Sequence, residues 1–268
     1  MTLPSSPPPA LAVTDLHRAF GGVVAVDGMS LTVTPHSITG LIGPNGAGKT
    51  TLFNLISGVI PPQRGRVALF GEDITGLKPH HIARRGLVRT FQLARELTRL
   101  TVLENLMLAP ALQRGERLGA VLLQLGAVRR QEGEILNRAR ETLALLRLDA
   151  LADEYAGNLS GGQKKLLELG RALMLDPALI LLDEPGAGVN PSLMGFLAAT
   201  LQHLHREAGK TFLVIEHDMD LVAKICTQVV VMAEGRPLAE GAYATIARDP
   251  RVIRAYLGTG TETAGATP

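Results

Sequence analysis

One segment of the chain combines closely spaced glycines with a lysine and a threonine, the composition of a phosphate-binding loop. The segment reads Gly43-Pro44-Asn45-Gly46-Ala47-Gly48-Lys49-Thr50. Glycines let the backbone curl so that successive N–H groups point at phosphate oxygens, and a following helix adds the positive end of its dipole. We expect Lys49 to reach the β- and γ-phosphates and Thr50 to ligate Mg²⁺. A chance glycine-rich turn is the alternative, which a predicted strand before the segment and a predicted helix after it disfavour.

Two acidic residues follow a run of aliphatic residues at Leu179–Leu182. We expect Asp183 to contact Mg²⁺ through water and Glu184 to polarise an attacking water as a general base. Ligand sites of α/β proteins lie at the carboxyl ends of such buried strands. A solvated Asp-Glu-Pro turn is the alternative, and the upstream phosphate loop favours the catalytic interpretation.

The segment Ser160-Gly161-Gly162-Gln163 precedes a helix with apolar periodicity. Ser160 and Gln163 have the spacing of a capping box, which is sufficient to start a helix. Two adjacent glycines nevertheless cost about 1 kcal/mol of helix propensity each. We therefore expect the backbone to approach a ligand here, with the serine and the glycine amides forming a second anion site at a helix N-terminus.

These sites need a framework of strands and helices to position them. Near-alternating, β-branched residues predict antiparallel strands at Leu11–Leu16 and Val23–Val33, with a turn at Gly21–Gly22. Residues 101–150 are rich in Leu, Ala, Arg and Glu, which predicts a helical insert with a helix at Ile135–Leu148. Elsewhere strands and helices alternate, which implies an α/β fold with a mostly parallel sheet. The strands are predicted at Ser37–Ile42, Arg66–Phe70, Leu87–Phe91, Ala178–Asp183, Thr211–Glu216 and Gln228–Ala233, and the helices at Gly48–Ser57, Pro79–Arg85, Pro191–Arg206 and Met219–Ile225.

The composition excludes several classes of protein. Of 268 residues, 46% are hydrophobic, but no segment approaches the roughly 18–20 apolar residues that span a bilayer. A net charge of +2 and 3% aromatic residues without Trp argue against a nucleic-acid partner. The single cysteine, Cys226, forms no internal disulfide and fits a reducing compartment. The first ten residues lack the basic start and apolar run of a signal peptide.

With Leu159 added, the third segment reads LSGGQ, and the three motifs in this order resemble the ATP-binding cassette (ABC) ATPases over about residues 11–247. The resemblance implies a P-loop NTPase ABC cassette with a RecA-like core, an antiparallel β subdomain and a helical subdomain inserted at about 93–175. A single ABC ATPase domain at 11–258 is expected between tails at 1–10 and 259–268, whose Pro, Ser and small polar residues predict flexibility. ATP and Mg²⁺ are the implied cofactors.

The resemblance assigns roles to further residues. Gln92 matches the glutamine that links Mg²⁺ and the γ-phosphate to the helical insert, His217 the histidine that contacts the γ-phosphate, and Phe20 the aromatic residue that stacks on adenine. Without the resemblance, the sequence alone would favour simpler interpretations: Gln92 as a surface residue, His217 as a structural residue at a strand end, and Phe20 as a core residue. Asn190 stands where many members have aspartate, which weakens any role for an acidic group there.

The implied site residues fall into three groups. The catalytic residues are Glu184, His217 and Gln92, and the metal ligands are Thr50, Gln92 and Asp183. The nucleotide contacts are the phosphate loop Gly43, Pro44, Asn45, Gly46, Ala47, Gly48, Lys49 and Thr50, together with Thr51, Phe20, Ser160, Gly161, Gly162 and Gln163.

Several segments are similar to the ATPase subunits of bacterial branched-chain amino-acid importers. They are Phe20–Gly22, Val88–Gln92, Thr101–Leu106, Ala187–Pro191, Ile215–Met219 and Val252–Gly258. The likeness implies an ATP-hydrolysing subunit, cytoplasmic and peripheral on the inner face of the cell membrane. The implied partners are two membrane permease subunits, a second ABC ATPase subunit in a head-to-tail dimer (a homologous chain or a second copy) and, indirectly, a periplasmic substrate-binding protein. Related cassettes for urea or lipopolysaccharide transport share much of this pattern and remain alternatives.

A groove lined by Arg95–Thr101 is expected to transmit motion to the membrane subunits. Arginines near it form either a contact surface or a solvated basic face, namely Arg84, Arg85, Arg89, Arg95 and Arg99. Two other classes of protein are alternatives. Soluble ABC proteins of ribosomes or DNA usually carry two cassettes or a long coiled-coil insert, and this chain has neither. A P-loop kinase or GTPase is disfavoured by LSGGQ and His217.

Overall fold

The computed structural model describes residues 8–90, 97–110, 113 and 125–257. It divides into two compact units. As far as the residues are described, the first comprises Met1–Arg89, Ala178–Gly186 and Leu201–Pro268, and the second comprises Thr90–Pro177 and Ala187–Thr200. Most of the two predicted tails lies outside the described residues.

The first unit contains an antiparallel sheet in the order β2-β1-β4-β5. Its strands are β1 (Leu11–Phe20), β2 (Val23–Val33), β4 (Arg64–Leu69) and β5 (Glu72–Asp73). Phe20 pairs with Val23, so the turn lies at the two predicted glycines. The predicted antiparallel pair is therefore confirmed, although β1 continues beyond Leu16.

The same unit contains a mostly parallel sheet in the order β10-β9-β3-β8-β7-β6. Its strands are β3 (Ile38–Ile42), β6 (Leu87–Arg89), β7 (Leu179–Asp183), β8 (Thr211–Ile215), β9 (Gln228–Ala233) and β10 (Arg236–Gly241). Only the β9–β10 pair is antiparallel among the described pairs. Every residue of β3, β7 and β8 is buried, which explains why these strands are apolar on both faces. The α/β class is thus confirmed.

The helices of the first unit are α1 (Lys49–Ile56), α2 (Pro79–Ala83), α7 (Met219–Ile225), α8 (Tyr243–Ile246) and α9 (Pro250–Leu257). A cluster of buried side chains packs α1 together with strands of both sheets. Phe53 of α1, Leu16 of β1, Val67 of β4 and Leu181 of β7 all belong to it. Because α1 follows the phosphate loop, this packing anchors the loop to the core.

The second unit is helical, with α3 (Val102–Met107), α4 (Leu125–Leu145), α5 (Gly161–Leu173) and the start of α6 (Pro191–Arg206). A capping box between Thr101 and Glu104 starts α3. The buried Asn105 amide donates to the Thr101 carbonyl at 2.9 Å and accepts from the Leu97 N–H at 2.9 Å. The predicted end of the long helix at Leu148 was wrong, because Arg147 adopts φ 54° and α4 stops at Leu145.

Among the described residues, no helix combines the length and apolar character needed to cross a membrane.

Leu181→Ala tests the central role of β7 in the core. Leu181 is fully buried, and truncation of buried leucines lowers the free energy of unfolding by about 2–5 kcal/mol. The matched control is Leu257→Ala, whose side chain is exposed and whose effect should stay within about 0.5 kcal/mol. Urea unfolding of both variants measures the difference, and equal losses would contradict the packing described.

Candidate functional site

The phosphate loop joins β3 to α1, as its sequence predicts. Gly48 is the residue before α1 and has φ 97°, and a Cβ there would lie 2.1 Å from the Ala25 carbonyl oxygen. Only glycine fits such a position. No side chain caps this helix, so its first backbone N–H groups are available to an anion.

The Lys49 ammonium lies against its own loop. Nζ donates to the Gly43 carbonyl at 2.7 Å and to the Pro44 carbonyl at 2.9 Å. Burial lowers the pKa of Lys49, and the nearby charges of Glu184 and Asp183 partly oppose that shift. Thr50 is exposed at the start of the helix, and Thr51 is half-buried. The loop therefore presents a cation, backbone amides and a hydroxyl together.

Asp183 ends β7 with its side chain fully buried. The Arg89 guanidinium, at the end of β6, donates to Asp183 Oδ2 at 2.7 Å. Arg89 also donates to Asn54 Oδ1 of α1 at 2.6 Å, and its guanidinium lies 5.6 Å from the centre of the Phe53 ring. Both predictions for Arg89, a solvated face or a groove contact, were therefore wrong. The signal in the sequence is a lone arginine within a predicted buried strand, because a buried cation needs an acidic partner.

The other Asp183 oxygen, Oδ1, is buried without a hydrogen-bond partner among the described residues. An unsatisfied buried carboxylate oxygen is unfavourable unless something else binds it. Oxygen donors are the ligands that Mg²⁺ prefers, including water held by a carboxylate. The carboxylate and the exposed Thr50 hydroxyl thus fit a hydrated magnesium ion.

Glu184 and His217 contact each other. Glu184 Oε1 lies 2.8 Å from His217 Nε2, and the side chains are 19% and 40% exposed respectively. Glu184 adopts φ 50°, in the left-handed region, and its N–H donates to the Ile215 carbonyl of β8 at 2.9 Å. The structure therefore places a partly exposed acid beside an imidazole within the first unit, which also holds Lys49 and Asp183.

The sequence did not indicate a role for Glu216. Its buried carboxylate contacts the turn that follows Glu184 and the segment that begins at His217. It accepts from the Gly186 N–H at 2.6 Å and from the His217 N–H at 3.0 Å. The signal in the sequence is the same as for Glu184, an acid directly after an aliphatic strand.

The segment Ser160–Gln163 belongs to the second unit. The predicted capping box is confirmed: the Ser160 N–H donates to Gln163 Oε1 at 2.9 Å, and the Ser160 hydroxyl accepts from the Gln163 N–H. A Cβ at Gly162 would lie 2.2 Å from Leu193 Cδ2, so close packing is a sufficient reason for that glycine. Gly161 is exposed, and a Cβ there would meet nothing within 4 Å, so close packing does not explain this glycine.

The structure gives a different outcome for each of three other residues that the sequence analysis singled out. Phe20 is 46% exposed at the end of β1, with the Arg18 guanidinium 4.9 Å from its ring centre, so the alternative of a core residue was wrong. Asn190 Oδ1 accepts from the Leu193 N–H at the start of α6, as a helix-capping side chain does. Gln92 lies outside the described residues.

Two family profiles match the chain. The family described as ABC transporter matches residues 26–187. The family described as branched-chain amino acid ATP-binding cassette transporter matches residues 236–262. The second match covers β10, α8 and α9, none of which contributes to the motifs above.

Curated relatives and solved structures are similar to the chain over most of its length. The chain is 43% identical over 250 residues to the high-affinity branched-chain amino acid transport ATP-binding protein BraF of Pseudomonas aeruginosa, covering 93% of this chain and 98% of the relative. It is 41% identical to LivG of Escherichia coli, with the same coverage. The ADP conformation of MJ1267, an ATP-binding cassette of an ABC transporter, superposes with a TM-score of 0.80 at 37% identity, covering 93% and 99% of the two chains.

Arg89→Ala tests the buried ion pair. Removing one partner leaves the Asp183 charge buried and unpaired, which should lower the free energy of unfolding by about 3–5 kcal/mol. Adding Asp183→Asn to that variant should recover stability, because no uncompensated charge then remains. The control is Arg85→Ala, which breaks the exposed contact of Arg85 with Glu72 and should cost about 1 kcal/mol or less. Urea unfolding distinguishes them, and a further loss in the double variant would contradict the charge argument.

Proposed function

The chain belongs to the ABC transporter family of ATP-hydrolysing cassettes, and we propose that it energises an importer of branched-chain amino acids. The match of residues 236–262 to the branched-chain amino acid cassettes carries this proposal. That segment lies outside the phosphate loop, the acidic strand end and LSGGQ. A general ATPase has no need of it, so it points to a subgroup of transporters.

We infer that ATP phosphates take the place of the loop carbonyls that now accept from Lys49. The ammonium would then face an anion and not two neutral oxygens, and a charge-assisted hydrogen bond is stronger than a neutral one. The free amides of α1 and the hydroxyls of Thr50 and Thr51 would bind other phosphate oxygens. The half-exposed Phe20 ring is available to stack on adenine.

Mg²⁺ would be held by Thr50 and Asp183, with Gln92 completing the set that the sequence predicts. When bound, the ion supplies positive charge that offsets the phosphate oxygens during transfer. The orphaned Asp183 Oδ1 supports this assignment, since Arg89 already binds Oδ2.

We propose that Glu184 is the general base. Its carboxylate is partly exposed and hydrogen-bonded to His217, so it can accept a proton from water while the imidazole holds its orientation. His217 would contact the γ-phosphate as that group leaves ADP. Lys49, Gln92, His217 and Mg²⁺ would together balance the charge of the γ-phosphate.

Ser160 and the amide of the exposed Gly161 are proposed to bind the γ-phosphate of ATP held by a second cassette. The chain contains one phosphate loop and one signature segment, so two cassettes packed head to tail would complete two sites. The domain limits at 11–258, with a helical subdomain at about 93–175, are part of the same proposal. ATP binding would close the dimer, and hydrolysis would reopen it.

We further propose that the chain works at the inner face of the cell membrane with two permease subunits and, indirectly, a periplasmic binding protein. Motion would pass through Gln92 and the groove at Arg95–Thr101. Urea or lipopolysaccharide transport is the second candidate, because the ATPase does not contact the cargo. The relatives named for branched-chain amino acid transport favour the first.

Glu184→Gln should bind ATP normally but hydrolyse it about 10²–10⁴-fold more slowly, because the general base is lost. With ATP the variant should elute as a dimer in size-exclusion chromatography, because without hydrolysis the closed dimer does not reopen. The control is Glu207→Gln on the exposed end of the α6 region, which should match wild type. A variant that stays monomeric and hydrolyses ATP at the wild-type rate would contradict the paired-site mechanism.

Co-expression with two permease subunits and the periplasmic binding protein tests the cargo. The chain should co-purify with the permeases, and vesicles containing the complex should accumulate labelled leucine when ATP is supplied. Glu184→Gln in the same complex should abolish uptake. Uptake of urea without leucine would replace the proposed substrate, and co-sedimentation with ribosomes alone would exclude a transport role.

A further inference from the structure

We propose that Glu216 is a positioning residue for ATP hydrolysis, whose buried carboxylate holds Glu184 and His217 at their reactive separation. This inference rests on the proposed function, because it concerns the same reaction. Glu216 is only 3% exposed, so it is not available to solvent or to a phosphate. Its effect must therefore pass through the residues that it contacts.

Both carboxylate oxygens of Glu216 accept backbone hydrogen bonds. Oε1 accepts from the Gly186 N–H at 2.6 Å, in the turn that follows Glu184. Oε2 accepts from the His217 N–H at 3.0 Å, with the Asp218 N–H at 3.4 Å. One side chain thus joins the loop of the general base to the loop of the histidine.

The turn that follows β7 needs such support. Glu184 has φ 50°, a left-handed conformation that is unfavourable for a residue with a side chain and persists only where the surroundings hold it. Its own N–H donates to the Ile215 carbonyl, the last residue of β8. Glu216, the next residue along, binds Gly186. The end of β8 therefore supports this turn on both sides of Pro185.

The geometry that results is the 2.8 Å contact between Glu184 Oε1 and His217 Nε2. Because both flanking loops are attached to one carboxylate, a shift of Glu216 would move the two side chains relative to each other. Misplacement by about 1 Å can reduce a rate by about 10²-fold. Substrate affinity depends on the phosphate loop, which Glu216 does not contact through these hydrogen bonds.

Glu216→Gln is the test, because glutamine has the same size but only one acceptor oxygen. Its amide group would set an N–H donor against at least one of the three backbone N–H groups that face the carboxylate. We expect kcat for ATP to fall by about 10- to 100-fold, while the dissociation constant for a fluorescent ATP analogue, mant-ATP, changes by less than about threefold. The matched control is Glu207→Gln on the exposed surface, which should leave both values unchanged.

The Glu184→Gln background separates positioning from a general loss of structure. A residue that acts through Glu184 should add little once that base is gone, so the double variant Glu184→Gln with Glu216→Gln should hydrolyse ATP no more slowly than Glu184→Gln. A further drop by the same factor would overturn the proposal, as would a wild-type kcat in Glu216→Gln. Parallel loss of mant-ATP binding and hydrolysis would also overturn it, because that is the result of a structural role.

Two further measurements keep the result interpretable. If Glu216→Gln does not fold, Glu216→Asp keeps the charge but is one methylene shorter. A folded Glu216→Asp with wild-type kcat would then overturn the proposal. Wild-type chain that fails to hydrolyse ATP would instead contradict the proposed function, so the two failures are distinguishable.

Discussion

Parallel pairing of β7 with β8 places Asp183 directly opposite Ile215. The next residues along the two strands, Glu184 and Glu216, therefore leave the sheet at the same edge. On the other side of β8, β3 pairs in parallel with Leu41 opposite Ile215. The phosphate loop begins two residues later and so starts at that edge as well. Strand register is the constraint that brings Glu184, Asp183 and the phosphate loop to one edge of the sheet.

Collecting acids at one edge of a buried sheet requires compensation for their charge. Each acid has a different partner: Asp183 binds the Arg89 guanidinium, Glu184 binds the His217 imidazole, and Glu216 binds backbone N–H groups. Lys49 lies in the field of the first two. The charges that would act on ATP are therefore already paired within the protein. Nucleotide binding would exchange these partners, which avoids exposing a bare charge to the low-dielectric interior.

The C-terminal segment that matches the branched-chain amino acid cassettes also reaches the strand that leads into the phosphate loop. Tyr256 of α9 packs in a cluster with Ile42 of β3 and Val231 of β9. Burial raises the pKa of its hydroxyl to about 12, and the Gly43 backbone beside it opposes part of that rise. The segment that indicates the transporter subgroup is thus part of the same core as the common nucleotide site.

The sequence by itself determined the features whose physics is local. The spacing of the glycines predicted the phosphate loop, the spacing of Ser160 and Gln163 predicted the start of a helix, and aliphatic runs predicted the buried strands. Only the tertiary structure decided the Arg89–Asp183 pair, the backbone hydrogen bonds of Glu216, the exposure of Phe20 and the early end of α4. Arg89 and Asp183 are 94 positions apart, and no spacing rule joins residues on different strands. Which strands become neighbours, in which register, and which atoms they bury depends on the packing of the whole sheet.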